Sequence, residues 1–176
     1  MLRRLRTDER GLAAVEFALL APVMLLTYCG LAEMTMAIMA ERRAAHVASV
    51  VGDLVAQSPT GSISAAQLTD IYTVGGSIMT PFPSTAMKLR ITSVVADPSG
   101  VPRVAWSQGN GMTPLTVNST PSGFPPTLLS AGDSVIETDM QYSYTSPLRI
   151  TLPTALSFGE SFYLKPRQAA SIAYTG

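Results

Sequence analysis

The chain has 176 residues, with twelve basic and twelve acidic side chains and therefore no formal net charge. No basic cluster occurs after residue 10, so we do not expect a nucleic-acid partner. The single histidine and single cysteine are too few for a closely spaced cluster of metal ligands, and we expect no metal and no cofactor. One cysteine also excludes an internal disulfide. The length allows one membrane helix and a small domain of about 120 residues.

The first predicted element is an apolar run from Leu12 to Ala40, which contains Glu16, Glu33 and a few small polar residues. At ~1.5 Å per residue, a helix of this length reaches ~43 Å, whereas the hydrocarbon core of a bilayer is ~30 Å thick. We therefore predict a transmembrane helix over residues 12–40. Pro22 predicts a kink within it, because proline lacks a backbone N–H.

The segment before this run contains more arginines than carboxylates, namely Arg3, Arg4, Arg6 and Arg10 against Asp8 and Glu9. By the positive-inside rule such a flank stays in the cytoplasm, so the rest of the chain should lie outside it. Arg42 and Arg43 beyond the run weaken this bias without reversing it. We predict a cytoplasmic leader over residues 1–11 and a single pass through the membrane.

Glu16 is the residue that most needs an explanation. A carboxylate at membrane depth costs roughly 2.5–3.5 kcal/mol on insertion scales, so its presence indicates a functional site. The alternative is a headgroup residue favoured by the helix dipole, an effect of only ~0.3–1 kcal/mol. Glu33 lies near the outer end of the run and is expected at the membrane interface rather than buried.

Gly11 is followed by Leu12, with Glu16 and Phe17 at the fifth and sixth positions after the glycine. This pattern resembles the processing site of type IV pilin-like precursors. The short leader, the Glu-Phe pair and the modest chain length are most similar to TadE-like minor pseudopilins of the tight-adherence (Flp) pilus. Two later stretches also resemble that family: the Tyr-x-Tyr-x-x-Pro-Leu sequence at 142–148, and the Lys-Pro-Arg sequence at 165–167 where the family often has Arg-Pro-Arg.

The resemblance implies a minor pseudopilin that takes part in pilus assembly and surface attachment. It would reside in the inner membrane, with its C-terminal domain periplasmic or extracellular. A prepilin peptidase would cleave after Gly11 and leave a free amine on Leu12, while the apolar helix is retained. The other implied partners are further pilus subunits and the inner-membrane assembly platform.

Subunit docking is implied at Glu16 and Phe17, where the carboxylate would meet the terminal amine of a neighbouring chain. Opposite charges ~4 Å apart in a poorly solvated place attract strongly enough to offset much of their burial cost. Glu33 is the second candidate for such a docking site.

A second function class stays open on the sequence alone: an unprocessed, membrane-anchored binding module whose sheet, or whose segment 108–132, holds a ligand or an envelope partner. An enzyme is not expected, because no nucleophile–base pair or metal set is visible. Cys29 and His46 would lie ~25 Å apart on one helix. We interpret Cys29 as a small packing residue and His46 as part of a polar stripe.

Residues 41–58 are predicted to continue the helix with an amphipathic pattern. Polar and aliphatic side chains fall on opposite stripes, with Arg42, His46, Ser49, Asp53 and Gln57 against Val47, Val50, Val51, Leu54 and Val55. The aliphatic stripe should pack on a globular domain formed by residues 59–176. The sequence Ser-Pro-Thr-Gly at 58–61 should end the helix.

The globular domain is predicted to contain one short helix. Ser64 and Gln67 have the form of a capping box, and the helix should run from Ala65 to about Val74 and end at the glycines 75–76.

Alternation of apolar and polar residues predicts the strands 87–95, 101–107 and 136–144, with one or two more at 161–164 and 168–174. The segment 108–132 is rich in Gly, Pro, Ser and Thr, and is expected to be functional or disordered. The fold class is therefore α+β: a long N-terminal transmembrane and amphipathic helix packed on a small antiparallel β-sheet.

Overall fold

The computed structural model describes residues 11–176. Its first element is a single helix, α1, over Leu12–Ala56, which passes through Pro22 without interruption. The predicted continuity between the apolar run and the amphipathic segment is confirmed. The helix ends at Ala56, three residues before Pro59, and beyond it the Gln57 N–H donates to the Asp53 carbonyl at 2.9 Å and the Ser58 N–H to the Val55 carbonyl at 3.1 Å. Apart from Gly11, the predicted leader lies outside the described residues.

The chain forms two compact units. The first consists of α1 as far as Ile38 together with the segment Thr145–Ala155, which we call the collar loop. The second consists of Met39–Tyr144 and Leu156–Gly176. The second helix, α2 (Ala65–Ile78), and the strands belong to this second unit.

The strands are β1 (Ser62–Ser64), β2 (Met87–Ala96), β3 (Pro102–Asn110), β4 (Ser134–Tyr144), β5 (Leu156–Leu164) and β6 (Ala173–Thr175). Strands β2 to β5 form an antiparallel sheet in the order β3-β2-β4-β5, which confirms the α+β class. Strands β1 and β6 form a separate parallel pair. Of the strand predicted at 168–174 only the end is present, as β6, whereas β1 and its pairing with β6 were not predicted, because three residues are too few to show an alternating pattern.

Strands β2 and β3 are consecutive, antiparallel neighbours and form a hairpin. Asp97 shapes its turn, since the Asp97 Oδ1 atom accepts the backbone N–H groups of Ser99 at 2.8 Å and Val101 at 3.0 Å. Gly100 has a φ of 80°, a conformation that glycine adopts without strain. Pro102 begins β3, which lies at the edge of the sheet where its missing N–H is tolerated.

One face of the sheet packs against the amphipathic part of α1. Val47, Val51 and Val55 of the helix are fully buried. The closest approach is at Gly52, where an added Cβ would stand 2.7 Å from Thr138 Oγ1 and 2.8 Å from Leu164 Cδ1. The absence of a side chain at Gly52 therefore sets how closely the helix lies on β4 and β5.

The opposite face of the sheet is covered at one end by the segment 108–132. Phe124 and Leu129 from this segment are buried and form an apolar cluster with Val94, Ala96 and Val135. The Phe124 ring meets the Tyr163 ring edge-on, with 5.3 Å between centroids. The segment therefore has a structural role in covering apolar surface, and a binding role for it stays a prediction.

The capping box that opens α2 is confirmed, because the Ser64 hydroxyl and the Gln67 side chain each accept the other residue's backbone N–H. The predicted end at residues 75–76 is wrong, since α2 continues to Ile78. Gly75 serves packing instead: an added Cβ would stand 3.1 Å from both Val47 Cγ1 and Val51 Cγ2. A glycine inside a helix pattern can thus mark close approach of another element rather than a helix end.

Candidate functional site on the long helix

The four residues predicted for processing and docking lie in the first turns of α1, and all four are exposed. Leu12 and Phe17 keep 60% and 69% of their surface accessible. An added Cβ at Gly11 would meet nothing within 4 Å. Leu12 and Glu16 are four residues apart on the helix and therefore share one face. The structure thus places these residues together on an open surface at the beginning of the helix.

Glu16 and Glu33, the two carboxylates of the apolar run, have opposite surroundings. Within residues 11–176, the Glu16 carboxylate makes no hydrogen bond or ion pair. Glu33, by contrast, is completely buried. The expectation that Glu33 is not buried is therefore wrong, because the collar loop covers its side chain.

The collar loop surrounds the Glu33 carboxylate with hydrogen-bond donors. Oε1 accepts the Ser146 hydroxyl at 2.7 Å and the Ile150 backbone N–H at 3.0 Å. Oε2 accepts the backbone N–H groups of Thr151 and Leu152, each at 2.8 Å, as well as the Thr151 hydroxyl. Charge-assisted bonds of this kind offset the cost of removing a carboxylate from water. Both oxygens are occupied by the chain itself, which argues against a docking role for Glu33.

Two further features shape the collar loop. The Ser146 hydroxyl oxygen also accepts the backbone N–H groups of Leu148 at 3.3 Å and Arg149 at 3.4 Å. Gly30 allows the loop to approach the helix, because an added Cβ there would stand 3.3 Å from Thr151 Cγ2. The loop is therefore fixed to α1 at two successive turns, those of Gly30 and Glu33.

Sequence reasoning missed the connection between Glu33 and this loop. Ser146 and Leu148 belong to the stretch 142–148 that carries the resemblance to pilus proteins. No periodicity links Glu33 to Ser146, which lies 113 residues later in the chain. The one available signal was a second carboxylate in an apolar run, which by itself asks for a partner.

A polar cluster lies on the face of the sheet opposite to α1. The Arg90 guanidinium meets the Asp139 carboxylate at 2.8 Å, and the Ser161 hydroxyl donates to the same carboxylate at 2.5 Å. Burial, and then repulsion from Asp139, raise the pKa of the neighbouring Glu137 to about 7. The ion pair and hydrogen bonds join three neighbouring strands, so we assign the cluster a structural role.

Cys29 and His46, interpreted from the sequence as a packing residue and part of a polar stripe, both lie on α1. His46 is exposed on α1, and Cys29 is partly buried. Within the part of the chain that the structure describes, no group of three His, Cys, Asp or Glu side chains is placed to hold a metal ion. An open groove of about 720 Å³ lies between α2 and strands β2 and β3, and it is lined by uncharged side chains.

The architecture is that of a long apolar helix followed by a small α+β unit. Helix α1 is long and apolar enough to cross a bilayer, and no residue in its most apolar stretch of 18 residues is buried within the chain. This is consistent with membrane anchoring, and the strands that follow build a separate α+β unit.

The family model of TadE-like proteins matches residues 11–52. The match confirms the resemblance over this stretch, which begins at Gly11 and includes the whole apolar run. It connects the chain with the tight-adherence pilus and with a family of pilus components that has no known enzymatic activity. No curated protein and no solved structure matches the chain.

Proposed function

We propose that this protein is a minor pseudopilin that takes part in assembly of a tight-adherence pilus, and that it is processed after Gly11. The observation that carries the proposal is the coincidence of three features at the beginning of α1. The TadE-like match starts at Gly11, a Cβ added to that glycine would meet no described residue within 4 Å, and Glu16 stands unpaired one turn beyond Leu12 among the described residues.

Glu16 is the carboxylate that supports a docking role. A charge in an apolar run requires a partner, and the donors that Glu33 finds in its own chain are lacking at Glu16 within residues 11–176. Cleavage after Gly11 would create an amine on Leu12. Because one chain's Leu12 and Glu16 lie on one exposed face, amine and carboxylate can pair between neighbouring chains, with the exposed Phe17 ring beside them.

The same proposal assigns location and partners. Residues 1–11 would be a cytoplasmic leader that a prepilin peptidase removes, and residues 12–40 would cross the inner membrane once. Residues 41–58 and the domain 59–176 would lie on the periplasmic side, available to other pilus subunits and to the assembly platform. The arginines before Leu12 support this orientation.

Intact mass of the protein taken from its native membrane tests the proposal. We expect a mass that lacks residues 1–11, and we expect Gly11→Val to leave full-length precursor, because a bulkier side chain replaces the residue that the peptidase reads. Leu20→Val, a change at an exposed helix position away from the cleavage point, serves as the control and should mature normally. Retention of residues 1–11 in the parent protein would instead support the unprocessed, membrane-anchored binding module.

A further inference from the structure

The collar loop exposes apolar side chains in the same compact unit as the apolar helix. Leu148 and Ile150 keep 48% and 50% of their surface accessible, and the exposed Arg149 stands between them. Single exposed leucines are ordinary on protein surfaces. Two such side chains on an irregular loop that is fixed beside an exposed apolar helix add to the apolar surface of this unit, and a large apolar surface indicates an interaction site.

The height of the loop along α1 follows from its contacts. Thr151 lies against Gly30, and the Glu33 carboxylate holds the backbone of Ile150 to Leu152. Large apolar side chains on α1 keep more than half of their surface exposed from Leu12 to Leu31, whereas Met34, Ile38 and Met39 keep 44–47%. A helix of that length covers ~30 Å, which is the thickness of the hydrocarbon core. The loop therefore stands at the level where the hydrocarbon should end.

Several backbone N–H groups of the collar loop have acceptors within the protein, which suits a position at the membrane boundary. Irregular chain at membrane depth is tolerated only where its polar groups are satisfied within the protein. The backbone N–H groups of Leu148 and Arg149 are accepted by Ser146, and those of Ile150, Thr151 and Leu152 by Glu33. Five successive backbone N–H groups thus find acceptors on two side chains of the protein.

We propose that the collar loop dips into the lipid bilayer that α1 crosses, with Leu148 and Ile150 in the boundary between headgroups and acyl chains. Arg149, whose guanidinium has no partner within residues 11–176, extends towards the lipid phosphates. Glu33 is the positioning residue, because it fixes the loop to the helix at that depth. The loop then sets how far the helix enters the membrane. This inference rests on the membrane anchoring in the proposed function, and does not depend on processing at Gly11.

Spin-label accessibility in lipid nanodiscs tests the inference on the full chain. Cys29→Ala removes the native thiol, and single labels are placed through Leu148→Cys and Ile150→Cys. Val23→Cys on the exposed helix reports lipid, and Val117→Cys, an equally exposed apolar loop residue, reports water. We expect the ratio of oxygen to nickel-chelate collision rates at 148 and 150 to be several-fold above that at 117 and close to that at 23.

The outcomes separate this inference from the anchoring on which it rests. A water-like ratio at 148 and 150 with a lipid-like ratio at 23 overturns the inference alone. A water-like ratio at 23 overturns the anchoring as well. If labels at 148 and 150 are shielded from both oxygen and the nickel chelate, these positions contact protein instead of lipid, and the inference about the loop is overturned. In addition, Glu33→Gln, and more mildly Ser146→Ala, should lower the ratio at 148 and 150 while leaving that at 23 unchanged.

Discussion

At the residue scale, the two glutamates of the apolar run have opposite surroundings, and the difference separates a structural carboxylate, Glu33, from the carboxylate proposed for docking, Glu16. Glu33 is satisfied by donors of its own chain, and Glu16 has no such donors within residues 11–176. The chemistry is the same in both cases, since a carboxylate out of water needs hydrogen bonds or a countercharge. What differs is whether the partner is supplied by the same molecule.

Replacement of Glu16 by alanine tests this distinction. We expect Glu16→Ala to be inserted and cleaved, yet to recover other pilus subunits at least tenfold less well on co-purification, because loss of the proposed ion pair should cost about 1.4 kcal/mol or more. Leu20→Ala, one turn further along the same exposed face, is the matched control and should retain its partners. Normal recovery with Glu16→Ala would reduce Glu16 to a headgroup residue.

Glu137 gives the second prediction at this scale. The charged or titratable groups around it are Asp139, Arg90 and Tyr163, and burial raises the pKa of the Glu137 carboxyl to about 7 from an ordinary value of 4.5. A raised pKa means that the folded state favours the protonated form. The protonated Glu137 carboxyl contributes its full stabilisation to the folded state below pH 4.5, and this contribution is lost as the pH rises through about 7.

The free energy of unfolding should therefore fall by on the order of 2 kcal/mol between pH 4.5 and pH 8 through this group, after allowance for partial solvent access. Glu137→Gln should remove that part of the slope and be the more stable protein at pH 8. Denaturant melts at both pH values give the comparison. Glu160→Gln, at an exposed position of β5, should keep the slope of the parent, and an unchanged slope in Glu137→Gln would contradict the assignment.

At the scale of elements, the helices and strands whose apolar residues recur at a regular spacing in the sequence were predictable. The continuous helix, the capping box at Ser64 and the strands β2 to β4 follow from local patterns that survive into the fold. The parts that escaped prediction depend on contacts between distant segments. Strand β1 pairs with β6, and Glu33 is buried by the collar loop; in both cases the contacting residues are more than a hundred positions apart in the sequence. Among the site residues, Gly11 and Glu16 were visible as a motif, whereas the collar loop was not.

The packing of α1 on the sheet can be tested at Gly52. Alanine has the higher helix propensity by about 1 kcal/mol, but its Cβ would clash with Thr138 and Leu164. Overpacking costs about 1–3 kcal/mol, so Gly52→Ala should be destabilising overall and should lower the melting temperature by several degrees.

Gly76, a glycine of the second helix, provides the control for this test. An added Cβ at Gly76 in α2 makes only an ordinary contact, 3.6 Å from Ser84 Cβ, so Gly76→Ala should be neutral or stabilising. Combining Gly52→Ala with Thr138→Ala should recover part of the lost stability, because it removes the hydroxyl that lies nearest to the new Cβ. Equal melting temperatures for Gly52→Ala and the parent protein would show that the helix contact is looser than described.

At the scale of the whole molecule, one helix belongs to two units with different environments. As far as Met39 it exposes large apolar side chains, whereas from Ala40 onward it supplies buried residues to the core of the second unit. A simple tether would contribute nothing to that core. The buried valines at 47, 51 and 55 instead make the helix a structural part of the unit.

Truncation at two points distinguishes these alternatives. A chain that begins at Glu41 keeps the valines and should fold as a soluble monomer with cooperative thermal unfolding. A chain that begins at Thr60 loses them, and burial of three valines contributes about 5–9 kcal/mol, comparable to the whole stability of a small domain. That shorter chain should expose the helix-facing side of the sheet and aggregate. Both truncated chains retain Leu148 and Ile150 of the collar loop, so these side chains cannot cause the difference. Equal, cooperative melting of the two would mean that residues 41–57 only connect the domain to the membrane.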